Sequence, residues 1–413
     1  MSERTAPTTP TAPPADHGGE ALLLELGRAL HSYGTPAHRL EAALAGLARR
    51  LGVEAEFFSA PTAIFAQFGG PGGVARLARV EPGEVNLEKQ ALLDEVAERV
   101  WHGTLDPAAA LAAVRRIVAA LPRYGPALST ACFGLASGAA ARFFGGGLRE
   151  IAASVVVGLA IGLLAVAAGR RPALGRVFET LAATLATALA VSANWLAFPV
   201  SVYVTTLAGL IVLIPGLTLT VAINELATRN WVSGTARLVG AGAAFVQIGL
   251  GVTLGSQLTR VLPGWQPPPV PDQLPAWTVA VAVVGASLGF VVLFGARPGD
   301  APWIVAAGAI AFWGARGGAE LLGPQLGVAA GAFAVGAASN LYSRWANVPT
   351  AITLVPGIML LVPGGLGFSS LSAMLDKNVV SGVETAFAAL MVAVALVAGL
   401  LVANVLVPAR KAL

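Results

Sequence analysis

Residues 211–235 read IVLIPGLTLTVAINELATRNWVSGT, and residues 359–383 read MLLVPGGLGFSSLSAMLDKNVVSGV. At a fixed offset of 148 residues, Leu213, Pro215, Gly216, Asn230, Ser233 and Gly234 coincide with Leu361, Pro363, Gly364, Asn378, Ser381 and Gly382, and Arg229 with Lys377. Each copy carries a Pro-Gly pair inside an apolar run. Interrupted apolar helices at matching places in two parts of a chain point to a membrane transport site.

The sequence around these copies is strongly apolar. Of 413 residues, 56% are hydrophobic and 12% charged, about half the charged fraction of an ordinary soluble protein. Of the 22 acidic residues, 14 precede Tyr124, as do all four histidines. The split predicts a soluble domain of about 100 residues ahead of a membrane domain of about 290. A net charge of +4, with no basic face interleaved with aromatics, argues against nucleic-acid binding. The single cysteine, Cys132, excludes an internal disulfide and a zinc cage; no metal or cofactor is expected.

Residues 1–18 are rich in Thr, Pro and Ala and lack the apolar core of a signal peptide. They read as a disordered tail, which leaves the next domain in the cytoplasm. Residues 19–123 read as a small cytosolic α/β domain in the order α, α, β, β, β, α, α. Leu22, Leu26 and Leu30 share a helical stripe, Pro36 suits a helix start, and Asp106 caps the helix that begins at Pro107.

Ten apolar runs follow, at about 124–141, 149–168, 177–196, 199–223, 235–259, 277–296, 302–316, 322–342, 348–372 and 381–407. Most reach the ~20 residues that span hydrocarbon; the run at 302–316 is short. A Pro-rich linker, 261–276, separates one repeat, 124–260, from another, 277–408, and residues 409–413 form a cytosolic C-terminus. The fold class expected is therefore a polytopic α-helical membrane protein with ten transmembrane helices as two five-helix repeats. Five is odd, so the repeats must be inverted. With both termini inside, cytoplasmic connections carry nine Lys and Arg and external ones five, the bias expected of that orientation.

Pro215, Pro363 and Pro356 each remove an amide donor, and Gly216, Gly364 and Gly357 let a substrate approach the backbone. The freed carbonyls suit the ammonium of a zwitterion and freed amides its carboxylate. Thr218, Thr220 and Asn224 follow the first break; Asn194, Ser339 and Asn340 lie in neighbouring runs. These twelve residues are the candidate substrate contacts. A lone Ser or Thr more often bonds back to its own helix. Of the ionisable groups near the bilayer (Glu179, Glu225, Arg237, Glu320, Asp376 and Glu384), Glu225 and Glu384 are the candidate proton carriers, with Arg237 as partner. In the soluble domain His38 and Glu41 are one helical turn apart, but no activated nucleophile accompanies them, so a solvated charged helix is the better reading.

Longer stretches carry a resemblance. YGTPAHRLEAALAGLARRLGVEAEFFSAPTAIFAQF (33–68), VEPGEVNLEKQ (80–90) and LPRYGP (121–126) resemble the start of the bacterial threonine/serine exporter family. IPGLTLTVAINEL (214–226) with SGTARL (233–238) resembles the end of its first membrane half, and NVPTAITLVPGIMLLVPGGLGFSSLSAML (347–375) its second. The resemblance implies a ten-helix inner-membrane exporter of threonine and serine, driven by the proton-motive force, with a cytosolic N-terminal domain. Its partners would be the substrate, protons, the lipid bilayer and a second copy of the chain. In similar systems the two halves can be separate polypeptides, and some of those are linked to dicarboxylate export. A dicarboxylate or other small-metabolite exporter, a passive channel and a membrane-anchored enzyme are the alternatives.

Overall fold

The computed structural model describes residues 17–409 apart from Pro71, Pro82, Ala197 and residues 263–270. Most of the expected tail, half of the Pro-rich linker and residues 410–413 lie outside the described residues.

Seven elements come first, in the order expected: α1 (His17–Ser32), α2 (Ala37–Leu51), β1 (Ala55–Ala60), β2 (Ala63–Phe68), β3 (Val74–Arg79), α3 (Leu87–Trp101) and α4 (Pro107–Ala119). The leucine stripe of α1 is buried against Leu40, Leu44, Ile64 and Leu93. Gly52 stops α2 in the left-handed conformation, φ 70°. The Asp106 carboxylate accepts the amides of Ala108 and Ala109, each at 3.0 Å, which starts α4 as predicted. The strands form an antiparallel sheet in the order β1-β2-β3. Alternation turns Ile64, Ala66 and Phe68 inward and leaves Phe58, Phe65 and Leu77 exposed in one cross-strand row.

The helices that follow are α5 (Pro126–Phe143), α6 (Leu148–Arg170), the single turn α7 (Pro172–Gly175), α8 (Phe178–Trp195), α9 (Val202–Gly209), α10 (Gly216–Ala227), α11 (Trp231–Ser256) and the single turn α12 (Leu258–Val261). Then come α13 (Trp277–Leu293), α14 (Ala301–Leu322), α15 (Pro324–Ala346), α16 (Ala351–Met359), α17 (Gly364–Leu375) and α18 (Val379–Leu406). Five segments are long and apolar enough to cross a membrane: Leu148–Arg170, Trp231–Ser256, Pro324–Ala346, Ala351–Leu375 and Val379–Leu406. The chain is a helical membrane protein. Two differences from the sequence reading stand out. The run at 302–316 is part of a 22-residue helix, α14, because glycines and single charges at its ends dilute the apolar signal without breaking the helix. Pro356 makes no break: it lies inside α16, where only the one bond to the Ile352 carbonyl is lost, and the chain turns four residues later.

The repeat extends far beyond the two quoted segments. Arg229 and Lys377 both hold the left-handed conformation, φ 66° and 64°. The amides after them bond alike, Asn230 to the Glu225 carbonyl at 2.8 Å and Asn378 to the Ala373 carbonyl at 2.9 Å. Further towards the N-terminus of each copy the offset becomes 150. A Cβ on Gly158 would fall 2.4 Å from Ser137 Oγ, and one on Gly308 2.3 Å from Ser287 Oγ. Both Arg229 and Lys377 sit where glycine is favoured, so Arg229→Gly and Lys377→Gly are each expected to stabilise by about 0.5–1 kcal/mol. Thermal unfolding of the detergent-solubilised chain checks this, and a lowered midpoint in both variants would refute it.

The N-terminal elements touch three helix junctions. At α10–α11, the Ala37 amide donates to Glu225 Oε1 (3.1 Å) and Ser233 Oγ to the Ser59 carbonyl (2.7 Å). At α13–α14, the Leu87 and Glu88 amides donate to the Phe294 and Gly295 carbonyls (2.8 and 3.1 Å), and Tyr124 Oη to the Ala296 carbonyl (2.7 Å). At α15–α16, Asn347 Nδ2 meets Glu98 Oε2 at 3.3 Å. A different junction, α5–α6, meets the start of α13 and the linker before it: Arg142 donates from Nε to Thr278 Oγ1 of α13 at 2.6 Å and from Nη2 to the Leu274 carbonyl of the linker at 3.4 Å.

Candidate functional site

The two Pro-Gly pairs decide where the membrane helices open. Beyond α9, the amides of Leu213 and Ile214 both donate to the Leu210 carbonyl, at 2.8 and 3.1 Å; beyond α16, those of Leu361 and Val362 both donate to the Ile358 carbonyl, at 2.8 and 3.1 Å. Pro215 (φ −77°, ψ 43°) and Pro363 (φ −79°, ψ 30°) then lead into α10 and α17, and no side chain caps either helix. Uncapped first-turn amides carry the positive end of the helix dipole.

The breaks meet each other reciprocally. A Cβ on Gly216 would lie 2.9 Å from Val362 Cγ2, and one on Gly364 would lie 2.9 Å from Ile214 Cγ2. Ile214 and Val362 are repeat equivalents, as are Gly216 and Gly364. Each glycine thus receives the branched side chain of the opposite copy, a reciprocal contact.

A cavity of about 570 Å³ opens beside this crossing. Pro215, Thr218, Gly364 and Gly365 line it from the breaks, and Glu179 from the first turn of α8. Phenylalanines wall it, with Phe143 stacked on Phe312 at 5.5 Å between ring centres. Its size suits a small metabolite, and an apolar wall with a few convergent polar groups is the usual form of such a site. A smaller cavity, about 110 Å³, lies towards the N-terminal elements; Leu217 and Val85 line both.

The predicted residues divide between these places. Pro215, Gly216, Thr218 and Gly364 meet at the crossing or its cavity, and Pro363 directly precedes Gly364. Thr220 and Asn224 line the smaller cavity, and the Thr220 hydroxyl bonds back to the Gly216 carbonyl at 3.0 Å. Gly357 instead lets Val335 pack against α16. Ser339 and Asn340 are buried on α15, where Asn340 Nδ2 donates to Asn404 Oδ1 (2.9 Å) and to the Val407 carbonyl (2.7 Å). Asn194 is half-buried in the last turn of α8. Glu384 is exposed on α18 and lines neither cavity.

Glu225 and Arg237 do pair, Oε2 to Nε at 3.0 Å, but at the junction with the N-terminal elements. Glu225 is fully buried, its second oxygen taken by the first amide of α2. Beside it Glu41 accepts the Ser59 amide at 2.6 Å. Burial pushes the Glu41 carboxyl above its ordinary value, the Ser59 amide opposes the rise and the Glu225 charge adds to it. No hydrogen bond joins His38 to Glu41 among the described residues. Two carboxyls line the cavity, Glu84 from the N-terminal elements and Glu179 from α8. Sequence spacing did not single out Glu179, because it lies outside both quoted segments; its place inside an apolar run was the available signal.

These features define a polytopic helical membrane protein with a central cavity between two similarly broken helices. Family comparison gives it a place: a threonine/serine exporter model matches residues 21–259 and a second, "Threonine/Serine exporter, ThrE", matches residues 279–406. The chain belongs to the threonine/serine exporter family, a family of membrane transporters. It is 26% identical over 375 residues to Pheromone-regulated membrane protein 10 of Eremothecium gossypii, covering 86% of this chain and 50% of that protein. It is also 26% identical over 383 residues to the protein of the same name from Saccharomyces cerevisiae, covering 87% of this chain and 48% of that one. The chain thus spans about half the length of these relatives. No solved structure matches it.

Proposed function

We propose that the chain exports threonine and serine across a bacterial inner membrane, coupled to proton entry, through ten spans arranged as two inverted repeats. The carrying observation is the reciprocal crossing of the two breaks beside the 570 Å³ cavity. Inversion has separate support. The N-terminal elements touch the α10–α11, α13–α14 and α15–α16 junctions, whose repeat equivalents are α17–α18, α5–α6 and α8–α9. Two parallel copies would present equivalent junctions on one side; these contacts fall on one member of each pair.

In this reading the uncapped amides at the starts of α10 and α17 take the substrate carboxylate. Glu179 faces the ammonium and Thr218 the hydroxyl. Glu179, the lining carboxyl that lies on a membrane helix, is the group placed to couple the two fluxes. Glu225 is less suited to that role because both of its oxygens are engaged. A dicarboxylate fits less well, since no Lys or Arg among the described residues lines the central cavity.

Everted vesicles test the reading. They are expected to accumulate labelled threonine only when a proton gradient is imposed, and Glu179→Gln to lower that uptake at least ~10-fold, the scale of one charged hydrogen bond. Gradient-independent accumulation would overturn the coupling; full activity of Glu179→Gln would remove this carboxyl from it.

A further inference from the structure

The smaller cavity is the feature that transport through the central cavity does not use. It lies where α2 of the N-terminal elements covers α10, α16 and α18. Arg39 lines it, and no hydrogen bond or ion pair engages the Arg39 guanidinium among the described residues. No Asp or Glu among the described residues lines the cavity. Burial pulls the Arg39 guanidinium below its ordinary value, yet a guanidinium stays charged at any physiological pH. A mostly covered cation with no counter-charge is costly unless something else supplies the negative charge.

A second orphan stands beside it. His38 Nδ1 is buried without a hydrogen-bond partner. Burial, and then the Arg39 charge, bring the His38 imidazole down to about 4, so it is neutral at pH 7 and can donate from one nitrogen. Across the cavity stand Asn224 of α10 and Asn404 of α18; the Asn404 side chain is held by Asn340. One strong cation, one idle imidazole nitrogen and two amides around about 110 Å³ match a single small anion with further polar groups.

We propose that this cavity is a binding site for a small monocarboxylate of the α-amino or α-hydroxy acid class, with Arg39 holding the carboxylate. Planar, forked donors suit a carboxylate, which accepts two parallel bonds from a guanidinium. The amides of Asn224 and Asn404 face the α-substituent. The site is distinct from the crossing of the breaks, but Leu217 and Val85 line both cavities, so a carboxylate bound here is one step from the central cavity. The inference needs no particular cargo: it stands on the charge of the lining and not on the threonine reading.

Equilibrium binding to the purified full chain in detergent tests it. The probes are L-threonine, lactate, and threoninamide, which lacks the carboxylate. Lactate and threonine are expected to bind wild type, and threoninamide to be excluded from this site. Arg39→Gln should weaken lactate binding roughly 10- to 100-fold, the range for losing a charged hydrogen-bonding group, and Arg39→Lys should recover part of it. The unliganded melting midpoint of each variant separates lost binding from lost folding. Unchanged lactate affinity in a folded Arg39→Gln chain would overturn the proposal, as would the absence of lactate binding in wild type. Failure of threonine uptake alongside intact lactate binding would overturn the cargo reading and leave this site standing.

Discussion

Glu225→Ala is expected to destabilise the protein by about 3–5 kcal/mol, the usual cost of removing one partner from a buried ion pair. The Glu225 side chain is fully buried, and two groups depend on it. Arg237 would lose its counter-charge at 3.0 Å, with only 19% of its side chain exposed. The Ala37 amide, the first of α2, would lose its acceptor at 3.1 Å, and Pro36 before it offers no side-chain cap. Glu41 would lose a neighbouring negative charge, a gain that is small beside those losses. Glu225→Gln can still accept the Ala37 amide but leaves Arg237 uncompensated, so it should fall between wild type and alanine. Thermal unfolding with limited proteolysis of the N-terminal elements reads the result. A variant as stable as wild type, with α2 still protected, would show that the pair contributes nothing to docking.

The second large effect is expected from two glycines that the repeat equates. A Cβ on Gly251 of α11 would fall 2.3 Å from the Thr180 carbonyl oxygen of α8, and one on Gly399 of α18 would fall 2.2 Å from the Ala329 carbonyl oxygen of α15. Both obstacles are backbone, which cannot swing aside as a side-chain tip can. In a membrane, close backbone approach is what makes helices associate, and small residues permit it. Gly251→Ala and Gly399→Ala should each destabilise by about 1–3 kcal/mol through overpacking, and leucine at either site should prevent recovery of folded protein. Melting midpoints and size-exclusion profiles in detergent decide it. If alanine is tolerated at one site and not the other, the two helix pairs are packed differently and the equivalence fails.

Sequence periodicity revealed much of this architecture and little of its polar wiring. The stripes of α1, the Asp106 cap and the order of the strands follow from local rules, so they were readable one element at a time. The matched Pro-Gly pairs were equally plain, since proline marks a break wherever the helix cannot continue around it. Pro356 shows the limit: the same residue was absorbed by α16, and only the tertiary setting of the next turn settles which proline opens the chain. Glu225 shows another. Its place beside a repeated motif suggested substrate or proton, whereas the structure puts Ala37, 188 residues away, on its carboxylate. Partners that far apart leave no mark in local spacing. Glu179, named among the ionisable groups near the bilayer, was not singled out for the converse reason, being near no motif and near the cavity only after folding.

The N-terminal elements give the reciprocal crossing an uneven setting. Two similar halves in contact through Gly216–Val362 and Gly364–Ile214 could exchange roles with little difference in energy between the two end states. The fastening of Ala37, Ser59, Leu87, Glu88 and Tyr124 to junctions of one side breaks that degeneracy. In an alternating-access cycle, opening towards that side costs these bonds while opening away from it does not. If the chain cycles as proposed above, its resting state would be biased towards one direction before any substrate binds, and the bias would be set by residues outside the membrane helices.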